Sequence, residues 1–84
     1  MPYQVTIRPR AAKTLEKIND PVYSSIKKAI FSLGDDPRPH GYKKLKGRDG
    51  YRIRVGDYRI IYDIFDNILT VDVVALGHRK DIYE

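Results

Sequence analysis

Residues 51–76 read YRIRVGDYRIIYDIFDNILTVDVVAL, and their alternation decides the fold. Three β-rich runs, 51–55, 58–65 and 68–76, are separated by Gly56-Asp57 and Asp66-Asn67, both two-residue hairpin signals. Two tight turns make a three-stranded antiparallel meander whose register follows by counting. Val55 then faces Tyr58, Arg54 faces Arg59, Ile53 faces Ile60 and Arg52 faces Ile61. Across the second turn, Phe65 is expected opposite Ile68, Ile61 opposite Asp72, and Arg59 opposite Val74. Successive side chains point to opposite sides of a strand. One side carries Tyr51, Ile53, Val55, Tyr58, Ile60, Tyr62, Ile64, Leu69, Val71, Val73 and Ala75, and is the expected core. The other carries Arg52, Arg54, Arg59, Ile61, Asp63, Thr70, Asp72 and Val74, and is expected to stay open to solvent.

Upstream of the meander, residues 3–8 alternate as a short strand with Tyr3, Val5 and Ile7 on one side. Pro9 suits the first turn of a helix, and Ala11, Ala12, Leu15 and Ile18 form its apolar stripe. Asp20 as N-cap and Pro21 as first helical residue begin a second helix. Its stripe is Val22, Ile26, Ala29, Ile30 and Leu33, and Gly34 is its stop. Helices joined this closely form an antiparallel hairpin, which is expected to cover the apolar side of the sheet. Residues 37–50, punctuated by Gly and Pro and rich in Lys, read as a basic loop. The chain is expected to be a single α+β domain over residues 1–84, its helices on one face of one sheet.

Composition narrows the chemistry. At 84 residues, 42% hydrophobic and 32% charged, the chain fits one small globular domain of modest core, to whose stability a bound partner would add. The absence of cysteine rules out disulfides, thiolate metal sites and a Cys nucleophile. With two His in the chain, no metal site is expected, and no cofactor is implied. There is no signal-peptide pattern and no apolar run of membrane-spanning length, so a cytoplasmic protein without a membrane partner is expected.

The net charge of +5 is unevenly spread. Residues 38–59 hold eight Lys and Arg against two Asp, a local +6 that exceeds the total, while residues 60–84 sum to −3. Such clustering suits a polyanion better than general solubility. Within it, Arg54 and Arg59 face each other across two strands, with Arg52 two residues along. Like charges set opposite one another destabilise a sheet. Three guanidinium groups on one side therefore point to an anion, and the planar fork of Arg matches phosphate. Lys43, Lys44, Lys46 and Arg48 in the loop are candidate RNA or ribosome contacts, although a Lys-rich loop is as often merely solvated. After the last strand, residues 77–84 form a tail that can turn back across the basic side. It would bring Arg79, an acid or base in His78, and the Tyr83 ring for stacking on a nucleobase.

Lys44-Leu45-Lys46-Gly47, Tyr51-Arg52-Ile53-Arg54-Val55, Tyr58-Arg59-Ile60-Ile61-Tyr62 and Gly77-His78-Arg79-Lys80-Asp81-Ile82-Tyr83 occur in that order and spacing. Together they resemble the RelE/ParE toxin superfamily over nearly the whole chain. The Arg-rich strand and terminal Tyr resemble its RelE branch. That resemblance implies the toxin of a toxin–antitoxin pair, a metal-independent endoribonuclease that cuts mRNA in the ribosomal A site. The ribose 2′-hydroxyl would attack the adjacent phosphate and leave a cyclic phosphate. It further implies that Arg59 holds the phosphate, Arg79 stabilises charge or protonates the leaving group, and Tyr83 stacks the base. A small acidic antitoxin, the ribosome and mRNA are the implied partners. The family often has lysines where Arg52 and Arg54 stand, one of them acting in proton transfer. Arg, with a pKa above about 12, is a poor general base. Three routes follow: Arg52 and Arg54 act only electrostatically, His78 or Tyr83 carries the proton, or ribosomal RNA assists. Two other functions share the fold or the charge. One is a ParE-like poison of DNA gyrase without RNase activity, and the other is a non-catalytic RNA- or ribosome-binding module.

Overall fold

A computed structural model describes residues 2–80. In chain order these form strand β1 (Gln4–Ile7), helices α1 (Pro9–Glu16) and α2 (Val22–Ser32), and strands β2 (Lys43–Lys44), β3 (Tyr51–Val55), β4 (Tyr58–Phe65) and β5 (Thr70–His78). They make one five-stranded sheet in the order β1-β5-β4-β3-β2, in which β1 runs parallel to β5 and the other pairings are antiparallel. The α+β class, the helix pair and the meander are as expected. The two-residue strand β2 is an addition, because residues 37–50 were expected to be loop throughout.

Local chemistry accounts for the helix starts. Pro9 opens α1, where a missing amide hydrogen costs nothing. Asp20 is not the N-cap expected of it, but one residue before the cap its carboxylate accepts the Ser24 amide at 3.0 Å and the Ser24 hydroxyl. The helix begins at Val22, with Pro21 at the cap rather than in the first turn. Ala11 and Leu15 of α1, Ile26 and Ile30 of α2 and the Leu33 that caps it pack on Ile53, Ile60, Tyr62, Val71, Val73 and Leu76 of the sheet. Tyr62 is fully buried, and its hydroxyl donates to the Pro37 carbonyl at 2.7 Å. That bond satisfies a buried acceptor and pins the start of the long loop to the core.

The first hairpin has the counted register, Arg54 opposite Arg59 and Arg52 opposite Ile61, with Gly56 at φ 59° supplying the left-handed turn residue. The second hairpin corrects the count. Its connection is longer, a 3₁₀ turn over Asp66–Ile68 closed by Leu69 at φ 48°, so Phe65 pairs with Thr70 rather than Ile68. Asp72 lies opposite Asp63, not Ile61. A bulge then follows, because Tyr62 pairs with Val73 and Ile61 with Ala75, leaving Val74 as the extra residue. Beyond it, Leu76 takes the core place expected for Ala75, and Gly77 takes the place opposite Arg59 expected for Val74. Leu69, expected in the core, is exposed in the turn.

Candidate functional site

The bulge shapes the side of the sheet away from the helices. One row across it runs Arg54, Arg59, Gly77, and the next runs Lys43, Arg52, Ile61, Ala75. Glycine at the third place of the first row, itself buried, adds no side chain of its own to the space beside Arg59. The valine expected there would have filled it. Lys43 adds a fourth cation, delivered by the short β2 pairing next to Arg52.

This side is not bare, which corrects the expectation of a fully solvated face. Arg52 is 8% exposed and Ile61 3%, and Nε of both Arg52 and Arg59 is withdrawn from solvent. Leu45, also buried, is no part of the helix-side cluster. It folds over the far side at the β3 start. A Cβ built on Gly50, at φ 124°, would meet Leu45 Cδ1 at 2.9 Å and Asp63 Oδ1 at 3.3 Å, so only glycine allows this close approach. Guanidinium groups withdrawn from water bind an anion more strongly than solvated ones, because the local dielectric is lower.

Charge on this side is graded along the strands. The end near the β3–β4 turn holds Arg54 and Arg59. Toward the other end lie Asp63 and Asp72, directly opposite one another. Asp72 accepts Arg8 Nε at 2.8 Å and the Thr6 hydroxyl at 2.9 Å. Burial and then the Asp72 charge push the Asp63 carboxyl above its ordinary value. Beyond β4, Asp66 of the connecting turn is engaged from the helix side instead: it binds Arg38, which lies over the Tyr51 ring, at 3.0 Å and accepts the Tyr3 hydroxyl, and the two hold its carboxyl below the ordinary value. The face is therefore most positive at the end that holds Arg54 and Arg59.

The remaining candidates are divided by the fold. Lys44 pairs with Tyr51, on the helix side, and is exposed. Lys46 and Arg48 are exposed on the turn that leads back to Gly50, and Arg48 acts electrostatically on Asp63. Of the four loop cations, Lys43 alone joins the arginine rows. Arg79 follows β5 in a turn, its amide donating to the Asp57 carbonyl at 2.8 Å and its side chain exposed two residues beyond Gly77. His78 lies on the helix side of the sheet. It belongs to β5 rather than to a tail, pairs with Tyr58, and packs edge-to-face on that ring at 5.6 Å. Its Nδ1 accepts the Lys80 amide at 3.3 Å. The structure does not bring His78 to the arginines. Tyr83 lies outside the described residues.

One basic group escaped the sequence reading. Arg10, Thr14 and Lys17 line a cleft of about 410 Å³ between α1 and the end of β5, whose other walls include Tyr58, Gly77 and His78. The signal was present as polar residues spaced four and three along α1, a helical face. Among the described residues, no group of three or more His, Asp or Glu is placed to hold a metal ion, and no helix is long and apolar enough to cross a membrane.

Residues 5–83 match the family model described as the ParE toxin of type II toxin–antitoxin system, parDE. The mRNA interferase toxin RelE of Escherichia coli (strain K12) is 30% identical over 83 residues, spanning 95% of this chain and 86% of that protein. Toxin RelG of Mycobacterium tuberculosis is 31% identical over 85 residues, spanning 99% of this chain and 98% of its own. Among solved structures, the archaeal RelE–RelB complex from Pyrococcus horikoshii superposes with a TM-score of 0.85 at 28% identity, covering 98% of this chain and 100% of the matched one.

Proposed function

The chain belongs to the RelE-like toxins of the ParE toxin family, and on that footing we propose that it is a ribosome-dependent endoribonuclease that cleaves mRNA in the A site without a metal ion. The observation that carries this reading is the row Arg54, Arg59, Gly77, two facing guanidinium groups beside a position with no side chain. The facing pair fits the oxygens of a phosphate, which the planar fork of Arg matches. In the reaction, the 2′-hydroxyl attacks the adjacent phosphorus and loses its proton. The bond from phosphorus to the 5′ oxygen breaks, that oxygen takes up a proton, and a 2′,3′-cyclic phosphate remains.

Arg59 holds the non-bridging oxygens in a bidentate grip as their negative charge grows, with Arg54 opposite and Arg52 behind it. Preorganised donors of this kind often supply the largest share of catalysis. Arg79, in the turn just past β5, supports the leaving oxygen, and Tyr83 stacks the base. Arg52 and Arg54 act by charge alone, since a guanidinium does not give up its proton near neutrality. His78, on the other side of the sheet, takes no part in proton transfer. That leaves Tyr83 or ribosomal RNA for the base. Lys43, Lys44, Lys46 and Arg48 contact ribosomal or message phosphates. A cognate antitoxin restrains the activity, by analogy with the RelE–RelB complex that the fold matches.

The description of the matching family model favours a second reading, a gyrase poison with no nuclease activity. One experiment separates the two. Purified protein is added, in chelator, to ribosomes carrying a message with an empty A site, and the message ends are mapped. A cut within the A-site codon that leaves a 2′,3′-cyclic phosphate supports the nuclease. Intact message together with arrested DNA supercoiling by gyrase supports the poison.

A further inference from the structure

The geometry points to a second RNA phosphate subsite in the cleft between α1 and the end of β5, formed by Arg10 and Lys17. The strand β1 stops at Ile7, opposite Val73, and the chain turns away into α1. From that point to His78, no described strand pairs with β5 on that side, so α1 and the strand edge are left with a gap between them. The gap is the cleft of about 410 Å³, and Arg10, Thr14 and Lys17 line its helical wall. Arg10 and Lys17 are exposed, and no described Asp or Glu lines the cleft. The rings of Tyr58 and His78, set edge-to-face, form the opposite wall and offer aromatic surface to a base.

The cleft meets the arginine rows at one place. Tyr58 and His78 face it, while their chain neighbours Arg59 and Gly77 belong to the arginine side. Along β4 an RNA strand held at Arg59 meets the Asp63 carboxylate, with Asp72 opposite it ion-paired to Arg8, whereas no described carboxylate lines the cleft at the end of β5. The attractive exit is over the end of β5, and it leads to Arg10 and Lys17. Flexible single-stranded RNA suits such a turn, since positive grooves track its backbone and rings take its bases. The inference rests on the nuclease reading only for the identity of the polyanion. The phosphate belongs either to the message or to ribosomal RNA.

The test is the Arg10→Ala/Lys17→Ala double variant, compared with the parent for binding to ribosomes programmed with a message 2′-O-methylated at the A-site codon. The apparent dissociation constant is expected to rise about tenfold or more at low salt. The slope of log affinity against log salt should shrink by about 1.4, since each single-strand phosphate contact contributes about 0.7. On an unmodified message, the cleavage rate at saturation should stay within about twofold of the parent's. Arg10→Lys/Lys17→Arg should restore binding. If the loss vanishes on a message ending at the A-site codon, the message's own downstream phosphates occupy the cleft; if it persists, ribosomal phosphates do. Unchanged affinity and slope, in a variant that melts with the parent, overturn the subsite. A parent that binds programmed ribosomes yet leaves the unmodified message uncut would sink the nuclease reading while the slope still decides the subsite.

Discussion

Replacing Tyr62 by Phe removes one oxygen atom from the centre of the molecule. The ring is fully buried, and its hydroxyl donates to the Pro37 carbonyl at 2.7 Å. Pro37 is itself buried, so its acceptor has no ready substitute in water. A buried acceptor left without its donor costs about 1–3 kcal/mol. Total stability for a chain of this length is on the order of 4–13 kcal/mol at the usual 0.05–0.15 per residue. Each kcal/mol moves the melting temperature by about 4–8 °C in a domain this small, so Tyr62→Phe should melt about 5–20 °C lower. Tyr62→Ala also empties the ring volume, at about 3–5 kcal/mol, and should leave little folded protein. Burial raises the Tyr62 phenol above the ordinary 10.0, so the folded state keeps a proton that the unfolded state releases. Its contribution is therefore intact below pH 10 and lost as pH rises beyond it. Urea denaturation of both proteins at pH 7 and above pH 10, read by circular dichroism, measures the effect. The stability gap should narrow at the higher pH. A Phe variant as stable as the parent at pH 7, or a gap that widens with pH, would refute the reasoning.

Asp63→Asn should raise the melting temperature at neutral pH, because burial and the facing Asp72 already hold the Asp63 carboxyl above its ordinary value. A raised carboxyl pKa means stability gained as pH falls through it, so the advantage of Asn should disappear in acid, as a series of melts below pH 5 would show. Lys43→Ala should weaken binding to programmed ribosomes more than Lys46→Ala or Arg48→Ala, since Lys43 alone of the loop cations pairs beside Arg52. Equal losses from all three in a salt titration would return the loop to a uniformly solvated surface. Lys43, Lys44 and Lys46 changed together to Ala should flatten the salt dependence of binding while leaving cleavage at saturating ribosome intact.

The two hairpins show where sequence reading works and where it stops. In β3 and β4 the apolar and charged residues alternate, and Gly56 marks a tight turn, so counting places Arg54 opposite Arg59 correctly. In β5 the run Val73-Val74-Ala75-Leu76 is apolar on every residue, so no pattern resists a slip of register. The bulge at Val74 arises there, and the longer turn through Leu69 precedes it. Those two changes put Gly77 beside Arg59 and carried His78 to the helix side, which altered the candidate site more than any other feature. Strand β2 was hidden for another reason. Two lysines carry no strand preference, and their pairing with β3 is imposed by the loop that places Leu45 over Gly50. Arg52 is buried as well, which alternation alone could not foretell.

The central claim is that Arg59 grips the scissile phosphate. The direct measurement is single-turnover cleavage of a ribosome-bound message with a defined A-site codon, without added metal, for the parent, Arg59→Lys and Arg59→Ala. Circular dichroism matched to the parent's establishes that each variant is folded. Removing one preorganised charged donor commonly costs on the order of 100-fold, so Arg59→Ala should fall at least that far. Arg59→Lys keeps the charge without the bidentate fork and should lie between them. Arg59→Ala cutting as fast as the parent would contradict the account.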